Sequence, residues 1–441
     1  MKIDDLKTMK SSILASCIAL VIIATTFVYA EPDVKLVSFY TNSWSQWRGP
    51  YRDGVVREKG LLKKWPLEGP CLVWRTKSLG SGYSSPVIAD GRIFITGDVQ
   101  DKLLIFALDM NGKINWVATN GAAWKGPYPG ARASVAYSDG RIYHLNAHGR
   151  LACLESSSGN ELWHLNITNE FDASNITWAF SECLLVDEKK VYVTPGGRKA
   201  LMAAIDKISG KTVWMSAPLR VENKESQESI STDPAGYTSP VMFELGNRRL
   251  IVNCSQSHAF CVDSGSGEIL WTYPMPTRYK VLAATPVVYK DSVFVTGPDS
   301  QGGTLLKITS SNAVVSVRTK WISKLDTCHG GVVAINDIFV GSWYRNRRGW
   351  ACLDANTGET LHQTSALAKG SVIYADGLFY LLTEDGIMAL AKIDRANFNI
   401  ISQFQFIKDH QNDVWAHPVI YDGKLYLRYH NLLSCYDVQN E

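Results

Sequence analysis

One short unit returns eight times along this chain, and such a chain must fold as a set of repeated sheets. The first full copy opens at Ser84 as SSPVIADGRIFITG and continues as LLIFALDMNGKINW to Trp116. Two β-type runs around Asp90-Gly91 make a hairpin, and Asp109 to Gly112 marks a second turn. Further copies end at Trp163, Trp214, Trp271 and Trp321, while His362 and Phe404 stand in the Trp place of the sixth and seventh. The eighth, HPVIYDGKLYLRYHNLLSCYD, stops before its last strand, and Cys71–Arg75 (CLVWR), ahead of the first copy, has that strand's pattern. Spacings between the terminal Trp residues of 42, 47, 51, 57 and 50, counted from Trp74, fall in the range of propeller blades. The predicted fold is all-β: an eight-bladed β-propeller of four-stranded antiparallel blades. The N-terminal strand pairs into the last blade, so no edge is left open. Residues 44–441, about 50 for each of eight blades, form one domain, and 31–43 are a linker.

Most recurrent residues read as structural. A flat Trp at one place in successive blades fills the wedge between sheets. The turn Asp bonds backbone amides, and the turn Gly takes positive φ. Cys153, Cys261, Cys352 and Cys435 align with Ala107 and Ala204 at one small buried position, too far apart to bridge one another. Only Cys254 and Cys261 are close enough in sequence for a cross-hairpin bridge.

The N-terminus reads as an address. Lys7 and Lys10 precede an apolar run from Ile13 to Val28, and Val28-Tyr29-Ala30 supplies the small residues before Glu31. That order predicts a secretory signal peptide over 1–30, cleaved after Ala30, hence a periplasmic or secreted protein with no stable membrane span. A net charge of +3 excludes a nucleic-acid binder. The 14 Trp are mainly blade packing, with Trp178 and Trp415 the chief ones off that register.

Function is expected where eight strand starts converge on the axis. Ser85, Ser134, Ser181, Ser239, Thr285, Gly330, Ser371 and His417 form a small, mostly hydroxylic ring that reads as structural. Two residues earlier stand Tyr83, Arg132, Ala179, Tyr237, Ala283, Cys328, Lys369 and Trp415. This variable layer is the candidate ligand entrance, with Trp178, Glu182, His329 and His417 beside it. Two cations flanked by aromatics suit a planar or anionic small molecule. The longest loops, Ala122–Ala131 and Arg220–Gly236, add material at the same side if they are inner connections.

The patterns A-x-D-x-x-x-G-x-x-x-W and S-P-V-x-x-D-G-R-I-F resemble the repeats of quinoprotein alcohol dehydrogenase-like propellers, the PQQ-binding-like family. Trp44-Ser-Gln-Trp47-Arg48-Gly49-Pro50 with Arg52-Asp53-Gly54 is similar to a secreted, planctomycete-type subgroup, as are Pro195-Gly196-Gly197, His329-Gly330-Gly331, Lys369-Gly370-Ser371 and Trp415-Ala416-His417-Pro418. The resemblance covers most of 44–438 and implies the propeller fold. In catalytic members it implies pyrroloquinoline quinone (PQQ) beneath a vicinal Cys-Cys disulfide, a Ca²⁺ held by Glu and Asn, and an Asp base. This chain has no adjacent Cys pair, and Glu182 is the lone carboxylate at a strand-one start. The expectation is therefore a monomeric, non-catalytic scaffold with no certain cofactor, binding an anionic or planar small molecule or an envelope protein. The architecture also resembles the eight-bladed outer-membrane assembly lipoprotein. The alternatives are a PQQ- and Ca²⁺-dependent oxidoreductase, with Arg132 and Lys369 on the quinone carboxylates, and a carbohydrate-binding propeller using Trp415, Trp178 and Tyr83 as platforms.

Overall fold

A three-residue register repeats through the computed structural model, which describes residues 33–222, 230–299, 301–311, 314–411 and 413–440. An aromatic or branched residue of the second strand faces a third-strand residue, Ala or Cys in six of the eight blades, which faces the fourth-strand Trp. Examples are Phe94–Ala107–Trp116, Tyr143–Cys153–Trp163 and Tyr192–Ala204–Trp214. A β-bulge follows the third-strand member each time and turns the outer strand.

These units build eight blades over residues 87–122, 136–166, 185–215, 241–274, 287–323, 332–364, 370–405 and 419–437. The eighth takes its outer strand from Cys71–Thr76, which runs antiparallel to Leu432–Asp437 with Trp74 opposite Cys435. The fold is the predicted propeller, and among the described residues its helix content is one five-residue turn, Ile167–Phe171. The signal peptide expected over 1–30 lies outside the described residues.

Five of the six register Trp residues reach across to the next blade; the Trp271 N–H finds no partner there. The indole N–H groups of Trp74, Trp116, Trp163, Trp214 and Trp321 donate to the carbonyls of Met110, Ser156, Lys207, Ser264 and Ala355 at 2.9–3.1 Å. The ring lies flat on the turn glycine of that blade. A Cβ at Gly267, where φ is +79°, would stand 2.4 Å from the Trp214 ring.

The seventh blade departs from the expected pattern. Ser402, not Phe404, faces Leu390 in the Trp register. The slot is filled from elsewhere: Trp65 donates its backbone N–H to Ser402 Oγ at 3.0 Å and packs 5.6 Å from Tyr380. Cys254 and Cys261 face Ala259 and Val252 rather than each other, and both thiols are free.

The expected linker carries structure. Val34–Leu36 pairs with Phe243–Leu245 of blade four, and Val55–Val56 pairs parallel with Tyr374–Ala375 of blade seven. Between them the chain accepts N–H bonds from Ile88 of blade one and Tyr137 of blade two. It donates from Arg52 to Cys183 and Leu184, from Trp47 to Thr285, from Arg48 to Val332 and from Leu62 to Val438. Residues 34–62 thus touch all eight blades and close one end of the axis.

Replacing Gly267 by Ala drives a methyl into Trp214 in a left-handed backbone. Gly91→Ala has the same backbone (φ +65°) with nothing within 4 Å. Urea unfolding should show about 1 kcal/mol lost at Gly91 and about 3 kcal/mol at Gly267.

Candidate functional site

The strand-one starts are tied into a ring by bonds between blades. The His417 amide donates to Ser85 Oγ, the Ser85 amide to Ser134 Oγ, the Ser134 amide to Cys183 Sγ, and the Cys183 amide to Ser239 Oγ. The third member is therefore Cys183, two residues beyond the expected Ser181. Ser181 moves up into the entrance layer, and Ala179 is buried away from it.

Above this ring lies a cavity of about 450 Å³. Tyr83, Arg132, Trp178, Tyr237, His329, Lys369 and Trp415 all line it, so seven of the nine candidate residues share one space. Glu182 and His417 do not. Burial takes both into the scaffold: Glu182 accepts from the Thr194 amide, Thr194 Oγ1 and Asn253 Nδ2 at 2.8, 2.9 and 3.2 Å. Burial raises the Glu182 carboxyl to about 7. His417 Nε2–H donates to the His329 carbonyl at 3.0 Å, and its Nδ1 faces Arg48 Nη1 at 3.4 Å. Burial, aided by Arg48, lowers it to about 3, so the ring is neutral.

Trp415 is the fixed centre of the wall. Its ring lies 4.9 Å from Tyr83, 5.1 Å from Tyr128 and 4.6 Å from His329. Its N–H donates to Glu384 Oε1 at 2.9 Å. The same carboxylate takes His329 Nε2 at 2.9 Å and Lys369 Nζ at 3.0 Å. Burial alone would raise Glu384, but these two cations hold it below the usual carboxylate range. Burial opposes the charged imidazole of His329, yet the Cys328 side chain and Glu384 outweigh it and raise His329 to about 9. Lys369 Nζ also sits 4.4 Å above the Tyr344 ring.

Arg132, the other cation of the expected entrance, is bonded into the cavity wall. It donates to the carbonyls of Trp178, Tyr128, Gly130 and Pro127 at 2.8 Å each, and so holds the loop that carries Tyr128 to the mouth. The second long loop forms a hairpin, Arg220–Glu222 with Ile230–Thr232, whose tip lies outside the described residues.

Sequence reasoning missed Glu384, Tyr128, Tyr344 and the floor. The floor is Trp47, delivered by the N-terminal segment: its N–H donates to Thr285 Oγ1 at 3.0 Å, and its ring lies 4.5 Å from His417. Eight of the 14 Trp lie off the blade register, and Trp47 in WSQWRG was the available signal.

PQQ with Ca²⁺, the group implied by the resemblance, needs six to eight oxygen ligands around one cation. Among the described residues no three His, Cys, Asp or Glu side chains converge on a point. Glu182 is already occupied by three protein donors and has the Arg52 guanidinium nearby. The donor set does not fit a calcium centre.

Ring and cavity define a PQQ-like propeller with a blind axial pocket. The chain belongs to the family whose model is described as outer membrane protein assembly factor BamB (PQQ_2), matched over residues 55–176 and 105–363. It is similar to BamB from Moraxella catarrhalis, with 16% identity over 83% of this chain and 99% of that one and a TM-score of 0.57. It is also similar to quinohemoprotein alcohol dehydrogenase from Comamonas testosteroni, with 13% identity over 92% and 82% and a TM-score of 0.59. A 153-residue stretch is 26% identical to 1-butanol dehydrogenase (quinone) of Thauera butanivorans, covering 33% of this chain and 23% of that relative.

Replacing Glu384 by Gln removes the anion shared by His329 and Lys369. In an NMR titration His329 should fall from about 9 toward the ordinary 6.5. The wild-type pair stabilises fully below pH 6.5 at the histidine end and loses this as pH rises through 9. At the acid end it weakens as pH falls through the depressed Glu384 value. Melting curves of the variant should lack the acid limb and show a smaller alkaline one, the part due to Cys328 remaining.

Proposed function

We propose that the chain is a non-catalytic binding propeller whose axial cavity holds a small ring-bearing molecule. The observation that carries this reading is the cavity itself: closed below by Trp47, walled by Tyr83, Tyr128, Trp178, Tyr237 and Trp415, and open at one end. Its volume lies within the range of small-molecule sites, and a few fixed polar groups among aromatic faces give orientation and specificity. The polar groups at the mouth are committed to holding the walls, as Arg132 and Glu384 are, rather than poised to move a proton.

We place the protein in the periplasm or at the outer membrane. The description of its family supports this, as does the leader pattern ending at Ala30. Among the described residues no helix is long and apolar enough to cross a membrane. The same family description supports an envelope protein as a second partner at the mouth.

Two measurements test the reading. Purified protein given PQQ, Ca²⁺, 1-butanol and an electron-accepting dye should turn over no faster than the mixture without protein; turnover lost in Glu182→Ala would overturn the non-catalytic assignment. A melting-shift screen of ring compounds should give hits that weaken roughly threefold to tenfold in Tyr128→Ala, an exposed position whose loss spares the core. Hits indifferent to Tyr128 would move the site elsewhere.

A further inference from the structure

Three features of the cavity narrow what it holds. The first is its floor. Trp47 presents an indole that cannot swing, because Thr285 holds its N–H and the His417 ring packs against it. Beneath it Arg48 donates to the Val332 carbonyl at 2.7 Å and to the Asp53 carbonyl at 3.1 Å. A ligand therefore meets a rigid flat surface at the bottom and enters from one end only. A polymer cannot thread through; only a free ring or a chain end reaches the floor.

The second feature is the inclination of the walls. Tyr83 meets Trp415 at 34°, Tyr128 meets Trp415 at 52° and Trp178 meets Tyr237 at 61°. Neighbouring aromatic faces thus address the cavity at different slopes. A planar slab is best held between parallel faces. A puckered ring with C–H patches on more than one side, and hydroxyls around its edge, makes use of inclined ones.

The third is charge. Lys369 and His329 share one carboxylate, Glu384, and Arg132 bonds carbonyls only. Arg345 is paired with Asp299 at 3.3 Å, and Asp413 lies exposed at the rim. Behind the wall Asp98 and Arg428 oppose each other. The lining therefore carries one more cation than anion, and a ligand with a single negative charge brings it to balance.

We infer that the ligand is a uronic acid, free or at the end of a saccharide chain, with its sugar ring on Trp47 and its carboxylate beside Lys369. This rests on the binding role proposed for the cavity and adds to it the substrate class. Nothing covalent is involved. The aromatic faces take the apolar C–H surface, and Lys369 supplies a charge-assisted hydrogen bond.

The test uses D-glucuronate, D-glucose and benzoate as probes, followed by calorimetry and by indole fluorescence of the full chain. Glucuronate is expected to bind best, with glucose about tenfold weaker, since one charge-assisted bond is missing. In Lys369→Met, which keeps the apolar stem, glucuronate should fall to the level of glucose while glucose is unchanged. In Trp47→Phe both sugars should weaken roughly threefold to tenfold through the smaller platform. A cooperative melting transition and an unchanged far-ultraviolet circular dichroism spectrum in each variant confirm that the propeller is intact. Equal affinity for glucuronate and glucose, or a preference that survives Lys369→Met, overturns the inference. So does tighter binding of benzoate, which would leave a ring-binding cavity standing with a flat acid as its ligand. If none of the three probes saturates the site, the uronate assignment falls, and the Tyr128-dependent screen decides separately whether the cavity binds at all.

Discussion

The contact on which the ring depends is an indole laid over the turn of the next blade. One face of the Trp fills the widening gap between two sheets, its N–H ends on a turn carbonyl, and the turn glycine leaves room for the ring. Sheets radiating from an axis diverge outward, so a core of ordinary aliphatic side chains would leave voids at the rim, each costing packing energy. Trp is the side chain large enough to close that wedge. Since every such contact joins one blade to its neighbour, the stability of each sheet belongs to the pair rather than to the blade.

The axis poses the opposite problem, with eight strands converging and little room. The chain solves it with hydroxyls and one thiol that bond from blade to blade, and with an N-terminal segment that fills the remaining opening. Arg48 and Arg52, both buried, satisfy strand-start carbonyls that would otherwise face an empty channel. Burial pushes both guanidinium groups down to about 10, which leaves them charged at neutral pH. The segment that seals the base also supplies Trp47, so scaffold and cavity floor are made by the same few residues.

Much of this was readable beforehand because the repeat is written in residue types with distinct physical duties. Blade number, ring closure through Cys71–Thr76 and the small third-strand position all followed from that pattern. The failures have physical causes. Trp65 fills the seventh blade's slot from more than 300 residues away in sequence, which no local pattern records. In blade three, Ser181 and Cys183 are both small and two apart, so either suits the ring until the bonding is seen. Glu384, inside Thr-Glu-Asp-Gly, looks like an ordinary turn acid, although it ties Trp415, His329 and Lys369 together. Trp47 belongs to a recognisable motif, but nothing local says that the segment enters the axis.

The N-terminal segment has a further consequence for the order in which the molecule can assemble. Val34–Leu36 waits for Phe243–Leu245, Val55–Val56 for Tyr374–Ala375, and Cys71–Thr76 for Leu433–Asp437, at the far end of the chain. The residues made first are thus among the last to find their partners. Such long-range pairing slows folding and leaves strand edges uncovered in the interval. Leu72 and Val73, half exposed even in the finished ring, spend that interval with no sheet beside them. Until the final strand is synthesised this chain is an open row of blades, and its early life is one in which a holding chaperone would have most to protect.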